Sequence, residues 1–411
     1  MVKTKTGKSG KKRKEKGAAP APGNNVSFWL TLVALLGIVS LLRTQLSRAT
    51  YLPADFDVAS ARAGVQVRSA AFARGHPWPK EADIPGEATL DFLIVGDWGV
   101  DGPAARAVGA AMDEYALRND VAAVVSTGDQ LYPNGLESAD HMAPLTELFQ
   151  GAFGGVGLRT PWFVTAGNHD CRGSVEAMTA FQAVDDRWHY PSRWYTADVS
   201  LQGADRAGPR VRFVVLDTCN LACNEEQSVA DEATECSRLN ARVLSRSDRD
   251  DQLLWLGDVL ANAAADQGVV WTVLVGHHPL ASNGPHGNSP GLQRTLVDVI
   301  ERAAPGVEKL PIVYLSGHDH TLEHIVLEGD AECAWLHQVV SGSGGYGLHG
   351  LDEPSAANSE STVYSQGVHG FVAATATLSR LTLSFIAVTG EETHAVTLNR
   401  PPSNCLRQAA A

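Results

Sequence analysis

Five short stretches of this 411-residue chain end in glycine followed by side chains able to bind a metal or carry a proton. They are Asp97 in GDWG, Asp129 and Tyr132 in GDQLY, Asn168 and His169 in GNHD, His277 in GHHP, and His318 and His320 in GHDH. Singly each motif is weak, because a lone Asp at a strand end is most often a helix cap and a lone His is most often structural. Together, Asp97, Asp129, Tyr132, Asn168, His277, His318 and His320 arrive in order from five separate strand ends, and a purely structural account needs all five to coincide. Hard oxygen donors mixed with imidazoles suit first-row metal ions, and seven donors are too many for one ion, so two metals are implied.

The elements that must position these residues are legible around them. TLDFLIV (Thr89 to Val95), VAAVVS (Val121 to Ser126), PWFVT (Pro161 to Thr165), WTVLV (Trp271 to Val275) and IVYL (Ile312 to Leu315) are short apolar runs that break at the glycines. This is how buried strands deliver residues to loops. Helical stretches at Ala104 to Leu117 and Asp251 to Ala264 alternate with them, as in an open α/β sheet whose ligands sit at the carboxyl ends of the strands. From Val363 to Leu398 the segments alternate and read as antiparallel strands.

The order and content of these motifs resemble the calcineurin-like metallophosphoesterases, and within them the purple acid phosphatases of the small, tartrate-resistant type, over roughly Thr89 to Leu398. Most members of the superfamily carry Asp-x-His in the first motif. Here Trp98 and Gly99 follow Asp97, so that histidine is missing, and Tyr132 stands where purple acid phosphatases supply a phenolate, a hard anionic donor for ferric iron. The resemblance implies an α/β fold, a four-layer α/β/β/α sandwich with two central mixed β-sheets flanked by helices.

The same resemblance assigns a ferric site to Asp97, Asp129, Tyr132 and His320, and a divalent site to Asp129, Asn168, His277 and His318, with Asp129 bridging. The divalent ion is iron, zinc or manganese. His169 and His286 correspond to outer-sphere catalytic residues that orient phosphate and assist the leaving group. His278 points the other way along the strand end and reads as packing or support. Asp170 fixes backbone or His169. RWHYPSRWY at 187–195 looks like a family loop and names no catalytic residue. Glycine-rich SGSGGYG at 341–347 lacks the Lys-Ser/Thr of a phosphate loop and reads as a turn after Val340, while Gly257-Asp258 reads as helix surface.

Charge is uneven: residues 1–50 hold ten Lys/Arg and one acid, and the remainder holds 23 basic against 45 acidic residues. So acidic a body argues against nucleic-acid binding, and bound metals would supply the local positive charge that a phosphate ester needs. Eight basic residues between Lys3 and Lys16 precede the apolar run Val26 to Leu42. The long basic lead favours an uncleaved type II signal anchor over a cleaved signal, and both place the body in the lumen or outside the cell. The organisation read from the sequence is a basic cytoplasmic tail (1–25), a transmembrane anchor (26–43), a stem (44–88), a catalytic domain (89–400) and a tail (401–411), read as a monomer.

Cys171, Cys219, Cys223, Cys236, Cys333 and Cys405 all lie beyond the anchor, which fits one or two disulfides of open connectivity. The cluster Cys219, Cys223, Cys236 lacks the spacing of a structural zinc site.

The function implied is acid phosphatase activity on phosphate monoesters, a metal-bound hydroxide attacking phosphorus in line, with an acidic optimum. Alternatives are a phosphodiesterase or nucleotide-processing relative of the same fold, a redox role for the iron pair, and a catalytically silent scaffold.

Overall fold

The computed structural model describes residues 88–202, 208–224, 236–303, 312–328, 335–351 and 361–400. In chain order the first strands are β1 (Leu90–Val95), β2 (Ala123–Ser126), β3 (Trp162–Val164), β4 (Trp188–His189), β5 (Tyr195–Ser200), β6 (Arg210–Val215) and β7 (Val269–Val275). They are followed by β8 (Ile312–Ser316), β9 (Leu322–Glu328), β10 (Leu336–Ser341), β11 (Thr362–Gln366), β12 (Gly370–Ala376), β13 (Arg380–Ala387) and β14 (Glu392–Asn399). The α-helices are α1 (Pro103–Asn119), α2 (Ala143–Phe153), α3 (Asn168–Arg172), α4 (Val175–Ala180), α5 (Thr218–Cys223), α6 (Arg246–Ala265) and α7 (Pro290–Ala303).

Among the described residues these strands form two seven-stranded mixed sheets, ordered β14-β13-β12-β1-β2-β3-β4 and β11-β9-β10-β8-β7-β6-β5. The sheets stack face to face over one core, in which Phe213 of the second sheet meets Phe92 edge-on, ring centroids 5.1 Å apart, and Phe163 at 5.3 Å. Outside the first sheet α1 and α2 pack on an aromatic cluster of Trp98, Phe149, Phe153 and Trp162. Outside the second, α6 and α7 bury Leu256, Leu260, Leu296 and Ile300 against Leu274 and Tyr314. Four layers result, as the resemblance implies.

The alternation of strands and helices, read locally as one open sheet, is in fact divided: β1, β2 and β3 belong to one sheet, β7 and β8 to the other. Apolar runs such as VVWTVLV, buried at every position, reveal that both faces are covered. They do not reveal whether a helix or a second sheet covers them. The antiparallel reading of the C-terminal segments holds for β12, β13 and β14, which pair in sequence, and for β11, which pairs with β9. Helix α6 starts earlier than its periodicity indicates because the Ser245 hydroxyl accepts the Asp248 N–H at 3.2 Å and caps it.

Register makes the site possible. Val95 lies beside Ser126, Ser126 beside Val164, Val215 beside Val275, and Val275 beside Leu315, so the motif-bearing ends within each sheet are flush. Across the sheets, the Thr165 hydroxyl donates to the Leu216 carbonyl at 2.7 Å and the His318 N–H donates to Asp97 Oδ2 at 3.0 Å, which locks the two edges together.

Two disulfides, Cys171–Cys219 and Cys223–Cys236, settle the cysteine cluster: Cys219, Cys223 and Cys236 are consumed in sulfur–sulfur bonds. Cys333 and Cys405 lie outside the described residues, as do the basic tail (1–25), the anchor (26–43), the stem up to residue 87 and the 401–411 tail. Among the described residues no helix is long and apolar enough to cross a membrane.

Candidate metal centre

Three donors sit where the backbone itself turns sharply. Asp97, Asp129 and His318 have φ of 59°, 55° and 71°, in the left-handed region that side-chain-bearing residues seldom adopt, so each strand is reversed at the residue that carries the donor. Close approach explains two of the glycines. At Gly128, with φ of 108°, a Cβ would lie 2.4 Å from His277 Nδ1, and at Gly167 it would lie 2.2 Å from Asp129 Oδ1.

The seven donors converge in two overlapping groups. In one, Tyr132 Oη lies 3.2 Å from Asp97 Oδ1 and 3.4 Å from His320 Nε2, and His320 Nε2 lies 3.6 Å from Asp97 Oδ1. In the other, His277 Nε2 lies 2.9 Å from Asn168 Oδ1, 3.2 Å from His318 Nδ1 and 3.7 Å from Asp129 Oδ2. Asp129 stands between them, and ligand atoms of Asp97, Asp129 and His277 all fall within 4.8 Å of one another. Separations of about 3–4 Å match the edges expected of a coordination polyhedron with bonds of about 2.0–2.2 Å.

Asp97 and Asp129 are buried, and burial is the main cause that raises both carboxyl pKa values, with the Asp129 charge adding to the rise at Asp97. Burial likewise pushes the Tyr132 phenol up, reinforced by the Asp129 and Asp97 charges, and pushes the His277 and His318 imidazoles down. Burial therefore disfavours the charged form of every one of these groups, carboxylate, phenolate and imidazolium alike. A pair of cations would reverse the rise at Asp97, Asp129 and Tyr132 by stabilising carboxylate and phenolate, and would use the lone pairs of imidazoles whose protonation burial already disfavours. The donor set fits two ions.

Neighbouring carbonyls fix which nitrogen is offered. His277 Nδ1 is 2.8 Å from the Thr127 carbonyl and His320 Nδ1 is 2.6 Å from the Gly347 carbonyl, so each Nδ1 donates a proton outward and each Nε2 faces the centre with a lone pair. His169 Nδ1 is engaged differently, lying 2.6 Å from the Pro133 carbonyl and 2.9 Å from Arg172 Nη1, which itself donates to that carbonyl at 3.1 Å. Its backbone N–H donates to Asp129 Oδ1 at 2.9 Å and its ring lies 4.2 Å from that of Tyr132. His286 is exposed and stacks on His318, centroids 4.1 Å apart. His278 turns away from the centre, its Nδ1 3.0 Å from the Thr218 hydroxyl. Asp170 holds backbone, accepting the N–H groups of Gly167 at 2.9 Å, Gln130 at 3.1 Å and Leu131 at 3.2 Å, which staples the second motif to the third.

Sequence reasoning underrated the glycine-rich segment after β10. Beyond a simple turn, it forms a wall of the site: Tyr346 stacks on Tyr132 at 4.0 Å, and His349 stacks on His320 at 3.9 Å with its Nδ1 3.1 Å from Asp319 Oδ1. A Tyr and a His spaced by glycines directly after a buried strand were the available signal. Thr218 was missed too, and no local signal marks it: its hydroxyl accepts the backbone N–H groups of His277 at 3.0 Å and His278 at 3.2 Å.

Comparison with known proteins agrees with this geometry. The calcineurin-like phosphoesterase family model matches residues 90–322, a span that contains every one of the seven donors. The chain is 31% identical to rat (Rattus norvegicus) tartrate-resistant acid phosphatase type 5 over 266 residues, covering 63% of this chain and 73% of that protein. It is 27% identical to purple acid phosphatase 4 of Arabidopsis thaliana over 312 residues, covering 75% of this chain and 83% of that one. Among solved structures, GAP50, described as the anchor in the inner membrane complex of Plasmodium, shares the fold with a TM-score of 0.57 at 18% identity, over 76% of this chain and 89% of that one. With the motif order, the donor geometry and the relatives in agreement, the chain belongs to the calcineurin-like phosphoesterase family, in its purple acid phosphatase branch.

Proposed function

We propose that this protein is a metal-dependent acid phosphatase that hydrolyses phosphate monoesters at a binuclear centre. Asp97, Tyr132 and His320 would hold a ferric ion, Asn168, His277 and His318 a divalent iron, zinc or manganese, and Asp129 would bridge the two. The observation that carries the reading is the two-lobed convergence of these donors about Asp129, with Tyr132 in the place of the histidine that the first motif lacks. Relatives named purple and tartrate-resistant acid phosphatases support it.

When bound, the ion pair supplies acidified water and relieves charge on the phosphoryl oxygens, and a trivalent member extends this to acidic pH. The protein's own part is orientation and proton handling. The Pro133 carbonyl and the Arg172 guanidinium both engage Nδ1 of His169, which leaves Nε2 as the nitrogen that would serve the substrate. His286, exposed and stacked on His318, is suited to meet the phosphate or the leaving group. The body would lie in the secretory pathway or outside the cell, behind an anchor at residues 26–43, and the two disulfides support an oxidising compartment.

Metal analysis and a visible spectrum of residues 44–411, with rates on p-nitrophenyl phosphate and its diester, test the proposal. Expected are two metals, a tyrosinate-to-iron band, a higher rate on the monoester, and loss of activity in Asp129→Asn. Faster diester turnover would favour the phosphodiesterase alternative, and an Asp129→Asn protein with full function would sink the metal-centred reading.

A further inference from the structure

We infer that Thr218 and the Cys171–Cys219 disulfide form a strut that positions the divalent half of the centre and leaves the ferric half largely untouched, an inference that rests on the function proposed above. The two residues are adjacent in the first turn of α5 yet reach two different ligand-bearing loops. Cys219 is bonded to Cys171, which lies on α3 with Asn168 and His169. Its sulfur is also 3.3 Å from the carbonyl of Gly167, the residue before Asn168. Thr218 takes the neighbouring loop: its hydroxyl accepts the N–H groups of His277 at 3.0 Å and His278 at 3.2 Å and lies 3.0 Å from His278 Nδ1. One turn of helix therefore ties Asn168 and His277 together, the pair whose Oδ1 and Nε2 lie 2.9 Å apart.

That turn is itself anchored at both ends. Asp217 caps it by accepting the Asn220 N–H at 3.0 Å, and its own N–H donates to Gln252 Oε1 of α6 at 2.8 Å. Arg193 bridges Asp217 and Asp248, and the Asn220 amide donates to the Ser245 carbonyl at 2.9 Å. Cys171, Thr218 and Cys219 are fully buried, so the strut works inside the protein. The ferric half is supported from elsewhere, by the Gly347 carbonyl on His320, His349 stacked on that same ring, and Tyr346 stacked on Tyr132. Asp129 is the one donor common to both, reached from α3 through the His169 N–H at 2.9 Å.

Supporting contacts behind first ligands typically change metal affinity ten- to a hundredfold. The full chain, loaded with iron and zinc, is to be compared with Cys171→Ala/Cys219→Ala and with Thr218→Val, which keeps the shape of the side chain and removes its hydroxyl. Expected in both variants is one retained iron with an undiminished tyrosinate-to-iron band, zinc affinity at least tenfold weaker, and phosphatase activity restored by excess zinc. Thr218→Ser restores zinc affinity. Loss of the band in step with zinc, or wild-type zinc affinity in both variants, would overturn the inference. A wild-type chain without the band and without phosphatase activity would refute the parent reading, and the strut's metal role with it.

Discussion

Gly128→Ala is the substitution whose consequence can be worked most fully from the geometry. The new Cβ would lie 2.4 Å from His277 Nδ1, 2.8 Å from His277 Cγ and 2.9 Å from Gly167 Cα, at a residue with φ of 108°. Ordinary carbon contacts are about 3.5–4.0 Å, so the His277 ring must retreat by ~1 Å or the Gly167 loop must move. Backbone strain of about 1–2 kcal/mol and overpacking of about 1–3 kcal/mol add to a destabilisation of about 2–5 kcal/mol. For a body of this size, at ~2 °C per kcal/mol, the melting point falls by about 4–10 °C. The effect on the centre is larger than the effect on the fold. His277 is held by a 2.8 Å bond to the Thr127 carbonyl, and a ring displaced by ~1 Å no longer reaches an ion at a bond length of about 2.0–2.1 Å. Phosphatase activity should drop about a hundredfold with loss of the divalent metal. Thermal unfolding of the loaded protein, metal content and turnover of p-nitrophenyl phosphate measure all three. A Gly128→Ala protein that melts within a degree of wild type and keeps both metals would show that the tight approach of these loops does not set the His277 position.

The opposite result is expected at Gly257, inside α6 with nothing within 4 Å of an added Cβ: Gly257→Ala should stabilise by about 0.5–1 kcal/mol, read as a small rise in the urea midpoint. Tyr132→Phe removes the phenol that contacts Asp97 and His320, so the tyrosinate-to-iron band should vanish and iron affinity should fall, as iron content and the visible spectrum would record. Burial, aided by His337 and His394, pushes the His324 imidazole down to about 3. An unfolded histidine takes up its proton near 6.5 and the folded one only near 3, so stability is fully present above the unfolded value and is lost as pH falls between them. Between pH 7 and 5 this group alone should cost about 2 kcal/mol, and His324→Gln should flatten that part of the urea-midpoint profile by a comparable amount.

Much of this was legible in the order of residues. The glycine-plus-donor endings and the apolar runs before them are local features, and each has a local physical cause: a buried strand must be apolar and a sharp reversal favours glycine. The exchange of a histidine at the first motif for Tyr132 is legible only against the pattern of the family that the chain resembles. The seven candidate donors were therefore nameable without coordinates. For Asp170, which reads in the sequence as fixing either backbone or His169, the fold chose the backbone.

What the tertiary structure decided is where those runs go. Strands that look alike in sequence, each apolar because both faces are covered, divide into two sheets, since burial on both sides does not record what does the covering. The wall formed by Tyr346 and His349, and the strut formed by Thr218 with Cys171–Cys219, depend on partners far away in the chain. Tyr346 meets Tyr132 and Cys219 meets Cys171 only after the sheets have stacked. The donors are a property of the sequence because chemistry chooses residue types one at a time. Their support is a property of the fold, because a hydroxyl or a ring face binds whatever long-range packing brings to it.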